Sequence, residues 1–126
     1  MIKQLFFVGL GGATGSIVRY LVWLGISRFS LGALFPFATF AANLTGCILI
    51  GFLSGLSVRS NLLLEGPLRL LLITGFCGGY TTFSAFSLEG LRLLEHQHYL
   101  SFVLYAAGSC ILCIAGAGFG MYLSRL

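Results

Sequence analysis

The chain has 126 residues, 58% of them hydrophobic and only 8% charged, with a formal net charge of +4 and a mean hydropathy of +1.02. Soluble domains usually carry about 25% charged residues, so this composition excludes an ordinary water-soluble globule and points to a membrane. The positive charges flank apolar stretches, so they speak of membrane boundaries and imply no nucleic-acid partner.

Apolar stretches at about 4–27, 33–58, 69–90 and 99–124 predict four membrane-spanning helices in one domain covering 1–126. Each reaches the roughly 20 residues that an α-helix needs to cross a hydrocarbon core about 30 Å thick. The expectation is an all-α membrane protein with no separate soluble domain. Only Lys3 precedes the first stretch, which runs past signal length without a clear small-residue cleavage site, so it reads as a mature helix and not a cleaved leader. Its Gly9-Leu10-Gly11-Gly12-Ala13-Thr14-Gly15 lacks the third glycine, preceding strand and downstream acid of a dinucleotide fingerprint. Arg19 lies deep in this span, where a charge costs about 2.5–3.5 kcal/mol on insertion scales. It needs a partner or water: either Glu89, the one acid within a span, or an aqueous vestibule.

In the second span Thr39 and Asn43 stand one helical turn apart, with Thr45 and Ser54 on other turns. The third span holds Thr74-Gly75-Phe76-Cys77-Gly78-Gly79-Tyr80-Thr81-Thr82-Phe83-Ser84-Ala85-Phe86-Ser87. Backbone polar groups freed by a glycine-rich break find no water in hydrocarbon, so such a break survives only beside protein, an ion or a wet cavity. The helix is therefore expected to break near its middle, around Gly78, at a permeation or ion site. Phe83 and Phe86 lie on one side of the helix that resumes. Their positive ring edges can contact a bare anion. In the fourth span Tyr105, Ser109 and Cys113 recur every four residues and, with Ser84 and Ser87, read as a ladder of donors suited to an anion.

Gly11/Gly15, Gly51/Gly55, Gly75/Gly79 and Gly116/Gly120 each have the spacing that lets helix backbones approach closely in lipid. Packing is the preferred reading for three of these pairs. Gly75/Gly79, with Gly78 and hydroxyls beside it, is set apart as part of the break. Cys47, Cys77, Cys110 and Cys113 fall inside spans and read as packing residues; Cys110-x-x-Cys113 has no second pair, and His96 and His98 lie near the start of that span, so a metal or redox role is set aside.

The connectors, Arg28 to Pro36, Arg59 to Pro67 and Arg92 to His98, are short and carry most of the charge. Lys3, Arg59, Arg69 and Arg125 fall on one side of the membrane, against Arg28 and Arg92 on the other. This weak bias permits one orientation with cytoplasmic termini, or insertion both ways. Two histidines near one face and three glutamates assemble no nucleophile, base and orienting acid, so an enzyme is not expected.

The residues resemble the small bacterial fluoride channels of the Fluc/CrcB family. The resemblance covers essentially the whole chain. It is carried most specifically by the Gly75 to Ser87 segment, and also by Gly12-Ala13-Thr14-Gly15 with Arg19 and by the neighbourhood of Asn43 and Gly46. It implies an antiparallel, dual-topology homodimer in the lipid bilayer of the bacterial inner membrane, with two fluoride pores and passive fluoride export. It implies pore positions at Phe83, Phe86 and Asn43, a polar track through Tyr105 and Ser109 with Ser84 and Thr39, and Arg19 at a vestibule. Cys113 stands where a serine is often expected, and Ala85 lacks a hydroxyl that can occur there. A structural sodium ion would be held by the backbone carbonyls of Gly78 and Thr81. Two other classes are weighed against this. A small multidrug-type proton-coupled transporter needs a carboxylate in the first span, where Arg19 stands instead; a non-transporting membrane assembly subunit would need only the glycine pairs and no ion flux.

Overall fold

A computed structural model describes residues 1–30, 33–59 and 66–126, with the backbone alone at Arg59. The middle of the Arg59 to Pro67 connector, and the Arg59 side chain counted in the charge balance, lie outside the described residues. Helix α1 runs Ile2–Phe29 and α2 Phe37–Arg59. The third span is divided into α3, residues 67–80, and α4, Phe83–Glu95; α5 is Tyr99–Leu123. Four helical stretches, the third counted through its break as Pro67–Glu95, are long and apolar enough to cross a membrane.

Local chemistry sets the ends of these elements. Pro36 keeps Phe35 out of the helical region, so α2 begins one residue after the proline. Phe35 instead folds back, its ring 4.7 Å from that of Phe37 and 5.4 Å from that of Tyr105, centroid to centroid. Arg28 lies in the last turn of α1, where a cation meets the negative end of the helix dipole. The expected connector from Arg92 shrinks, because α4 continues to Glu95 and only His96 to His98 separate it from α5. There Gln97 adopts a positive φ of 60° to make the reversal.

The helices are apolar around most of their circumference, the pattern of segments whose solvent is lipid. In α1 only Gly11 and Gly15 are buried, while Leu5, Phe6, Ile17 and Leu21 point outward. Close backbone approach holds the bundle together. α1 packs chiefly on α3, and α2 chiefly on α5. A Cβ on Gly11 would overlap the Leu71 carbonyl, on Gly15 the Phe76 carbonyl, and on Gly79 the Gly12 carbonyl. Likewise Gly51 lies on the Ala117 carbonyl and Gly120 on that of Ile48. All four glycine pairs therefore serve packing. This corrects the separate status expected for Gly75/Gly79: the pair forms the counter-surface to Gly11/Gly15 and is not unwound. Leu53 and Cys77 centre a small apolar core between α2 and α3, filled out by Leu49, Leu72 and Phe76.

The third span departs from a regular helix twice. Leu70–Cys77 is wound in wide π turns, which are rare and concentrate at functional sites. One α-helical turn, Gly78–Tyr80, follows. The chain then opens at Thr81 (φ −85°, ψ 155°) and Thr82 (φ −149°, ψ 120°), both extended. The break thus exists but lies beyond the glycines: Gly78 is helical at φ −64°, ψ −36°. The expectation that the chain unwinds at Gly78 is corrected by three residues.

Candidate functional site

The break is held by side chains from other helices. Asn43 on α2 accepts a hydrogen bond from the Thr82 N–H at 2.8 Å and donates its amide to the Thr82 carbonyl at 3.1 Å, so one side chain replaces both partners the peptide lost from the helical ladder. Thr82 in turn caps α4, its hydroxyl accepting from the Ala85 N–H at 3.2 Å. Arg19 donates from Nε to the Gly79 carbonyl at 3.1 Å, and Ser16 donates to the same oxygen at 3.4 Å. The Tyr80 and Thr45 hydroxyls share a hydrogen bond of 2.8 Å. The Thr81 hydroxyl and N–H both donate to the Cys77 carbonyl.

Next to the break, Asn43 and Cys47 of α2, Phe83 and Phe86 of α4, and Ser109 and Cys113 of α5 line an open cleft of about 230 Å³, together with Thr81 and Thr82. The rings of Phe83 and Phe86 are 5.5 Å apart, and Phe83 is 79% exposed on the outer lip. Ser109 Oγ is buried and has no hydrogen-bond partner among the described residues. An amide nitrogen carries two hydrogens and Asn43 commits one to Thr82, so one amide N–H is left to donate beside two aromatic rings, while the unpartnered Ser109 hydroxyl lies buried in the cleft wall. Such a site donates hydrogen bonds and offers few acceptors, a match for a small anion.

Other expected positions fall elsewhere. Tyr105, with no exposed surface, is not among the cleft-lining residues and packs its ring at a tilt against that of Phe86, 5.0 Å between centroids. Its hydroxyl donates to Glu89 Oε2 at 2.7 Å, and the Thr39 hydroxyl donates to Oε1 of the same carboxylate at 2.7 Å. Glu89 is therefore satisfied by two hydroxyls, and no ion pair joins it to Arg19 among the described residues; the two charges instead border one cavity of about 320 Å³, with Ser16, Thr39 and Thr82. Ser84 lies exposed at the start of α4, its hydroxyl 3.2 Å from that of Thr82, and Ser87 bonds its own helix at the Phe83 carbonyl. Cys110 borders the cleft from an exposed position.

Nothing along the chain marked the Gly79 carbonyl as the acceptor for Arg19, or the pairing of Thr39 and Tyr105 on Glu89. The one available signal for the latter was that a carboxylate in a span requires donors, and hydroxyls were the donors at hand.

The family described as CrcB-like protein, Camphor Resistance (CrcB), matches residues 6–121. The chain is similar to the fluoride-specific ion channel FluC of Azobacteroides pseudotrichonymphae, 44% identical over 125 residues covering 99% of this chain and 98% of the relative. It is 45% identical to that of Phocaeicola vulgatus over 98% of this chain and 99% of the relative, and 48% identical to that of Chlorobaculum tepidum over 100% and 98%.

Proposed function

Because the chain belongs to the CrcB family, we propose that it is a fluoride-specific ion channel that releases fluoride passively across the bacterial inner membrane. It is a multi-pass membrane protein and not an enzyme. The observation that carries the anion reading is the unpartnered Ser109 hydroxyl in a cleft shared with Asn43, Phe83 and Phe86. Stripping a small anion of water in a low-dielectric setting costs tens of kcal/mol. Conduction therefore requires donors fixed in advance along the route: the Ser109 O–H, the second Asn43 N–H and the ring edges of Phe83 and Phe86, with the Arg19 charge raising local anion concentration at a cavity mouth.

The working unit in this reading is an antiparallel homodimer with two paths. The cleft is open on the side where Phe83 is exposed, and a lone subunit leaves that aromatic lip uncovered. A second copy would roof it; two-fold pairs are the commonest assembly. The donor set at the break also fits a hard monovalent cation. Thr81 has left the helix, and the Thr82 N–H that would have bonded the Gly78 carbonyl donates to Asn43 instead, so both carbonyls are released from the ladder. Gly78 has no neighbour within 4 Å of its Cβ position, leaving its face open. Two copies would bring four such oxygens to one sodium ion, which would serve as a fixed positive charge and not as cargo. Expression in a fluoride-sensitive bacterium tests the whole reading: growth restored in fluoride supports it, and no rescue by protein that is present in the membrane contradicts it.

A further inference from the structure

A second cavity, of about 470 Å³, lies between the α1–α2 connector and the reversal joining α4 to α5, and it shares no residue with the cleft. Glu89 and Arg92 of α4 line it, with His96 and His98 of the reversal. The facing connector contributes Ala33, Leu34 and Pro36 and therefore no charge. Among the described residues no other titratable side chain lines it; Arg28, Glu95 and Tyr99 sit at the same end of the bundle but outside the lining. The reversal fixes both imidazoles through its backbone: the His96 N–H donates to the Arg92 carbonyl at 3.0 Å and the His98 N–H to the Leu93 carbonyl at 2.8 Å, with the two rings 6.4 Å apart.

Glu89 also lines the cavity of about 320 Å³ that holds Arg19 and reaches Thr82 at the break. An anion moving inward from the outer cavity therefore passes a carboxylate. With both imidazoles neutral, Arg92 only balances Glu89 and the lining carries a formal charge of zero; with both protonated it carries +2. Histidine is the side chain whose charge ordinarily changes between pH 5 and 8. A concave wall of one sign focuses the field and concentrates the opposite ion. We propose that Arg92, His96 and His98 form a collecting mouth for small inorganic anions that protonation charges, so that anion entry quickens as pH falls. Acid is also the condition in which fluoride crosses lipid unaided as neutral HF and loads a cell, so such a mouth strengthens when release is most needed. This mouth rests on the fluoride-channel reading.

The test is fluoride efflux from proteoliposomes at low ionic strength and subsaturating fluoride, with the same pH on both sides and the HF leak of protein-free liposomes subtracted at each pH. The quantity read within each protein is the ratio of the rate at about pH 5.5 to that at about pH 7.5, the window in which imidazole takes up its proton. For wild type the expected ratio is roughly tenfold, the low end for charged clefts, falling towards one at high salt as screening shortens the reach of the field. The double variant His96→Gln with His98→Gln is expected to lose the acid rise. His96→Arg with His98→Arg, charged throughout, is expected to be fast at both pH values, with a ratio close to one. A wild-type ratio below about twofold, or an acid rise kept by the glutamine pair, overturns the mouth. Should the glutamine pair fail to reach the membrane, the arginine pair decides, because an acid rise persisting there overturns the mouth as well. Wild type that shows no efflux at any pH overturns the channel reading and the mouth with it, whereas efflux that is present but flat with pH overturns the mouth alone.

Discussion

Replacing Asn43 with alanine removes both hydrogen bonds that hold the Thr82 peptide, the 2.8 Å bond from its N–H and the 3.1 Å bond to its carbonyl. A buried peptide group left without a partner costs about 1–3 kcal/mol, so two would cost about 2–6 kcal/mol in a dry site. Thr82 is only partly buried and the cleft is open, so water recovers some of this and the low end, about 2 kcal/mol, is the working figure. That energy corresponds to a factor of roughly 30 in the population holding the break in its present form. Fluoride efflux from proteoliposomes carrying Asn43→Ala is therefore expected to slow by about that factor, with a lowered thermal midpoint in detergent. Asn43→Asp separates the two roles of the residue: it keeps the acceptor for the Thr82 N–H but places a negative charge in an anion's path, so efflux should be lost with less harm to stability. Asn43→Ala protein that conducts within about twofold of wild type would refute the clamp, since even 1 kcal/mol should change the population about fivefold.

Three further outcomes follow from the geometry. Gly120→Ala drives a methyl into the Ile48 carbonyl whereas Gly118→Ala meets nothing within 4 Å, so only the first should lower the thermal midpoint, by an overpacking penalty of about 1–3 kcal/mol; equal midpoints would contradict the packing. Tyr105→Phe keeps the ring against Phe86 but withdraws one of the two hydroxyls from Glu89, a loss of about 1.5–3 kcal/mol that thermal unfolding would register and that an unchanged midpoint would disprove. Phe83→Ile alters an exposed ring that contributes little to the fold of one subunit, so helix content by circular dichroism should be unchanged while fluoride efflux falls at least roughly tenfold; full efflux would remove Phe83 from the path.

Much of the bundle was legible because lipid imposes simple rules. Span length, the charge gaps between spans and the four-residue glycine spacings follow directly from the need to bury backbone and to pack helices closely. The break was legible as an event but not in its place. Glycine suggested loosened backbone at Gly78, yet in lipid the same residue also permits helix contact, and against Gly11 and Gly15 contact prevails for Gly75 and Gly79. The opening falls on Thr81 and Thr82, whose hydroxyls serve their own backbone and whose peptide is held by Asn43, a partner 39 positions away. Such pairings depend on helix rotation, which an apolar sequence with no polar face leaves undetermined. For the same reason it left open that Asn43, Ser109, Phe83 and Phe86 would line one cleft while Tyr105 and Thr39 turn to Glu89.

The most direct measurement of the central claim is simultaneous efflux of fluoride and chloride from sealed liposomes containing the purified protein, read with ion-selective electrodes. The expected result, on the proposed path past Asn43, Ser109, Phe83 and Phe86, is rapid loss of fluoride with chloride retained. Loss of both ions together, or retention of fluoride equal to that of protein-free liposomes, would contradict the account.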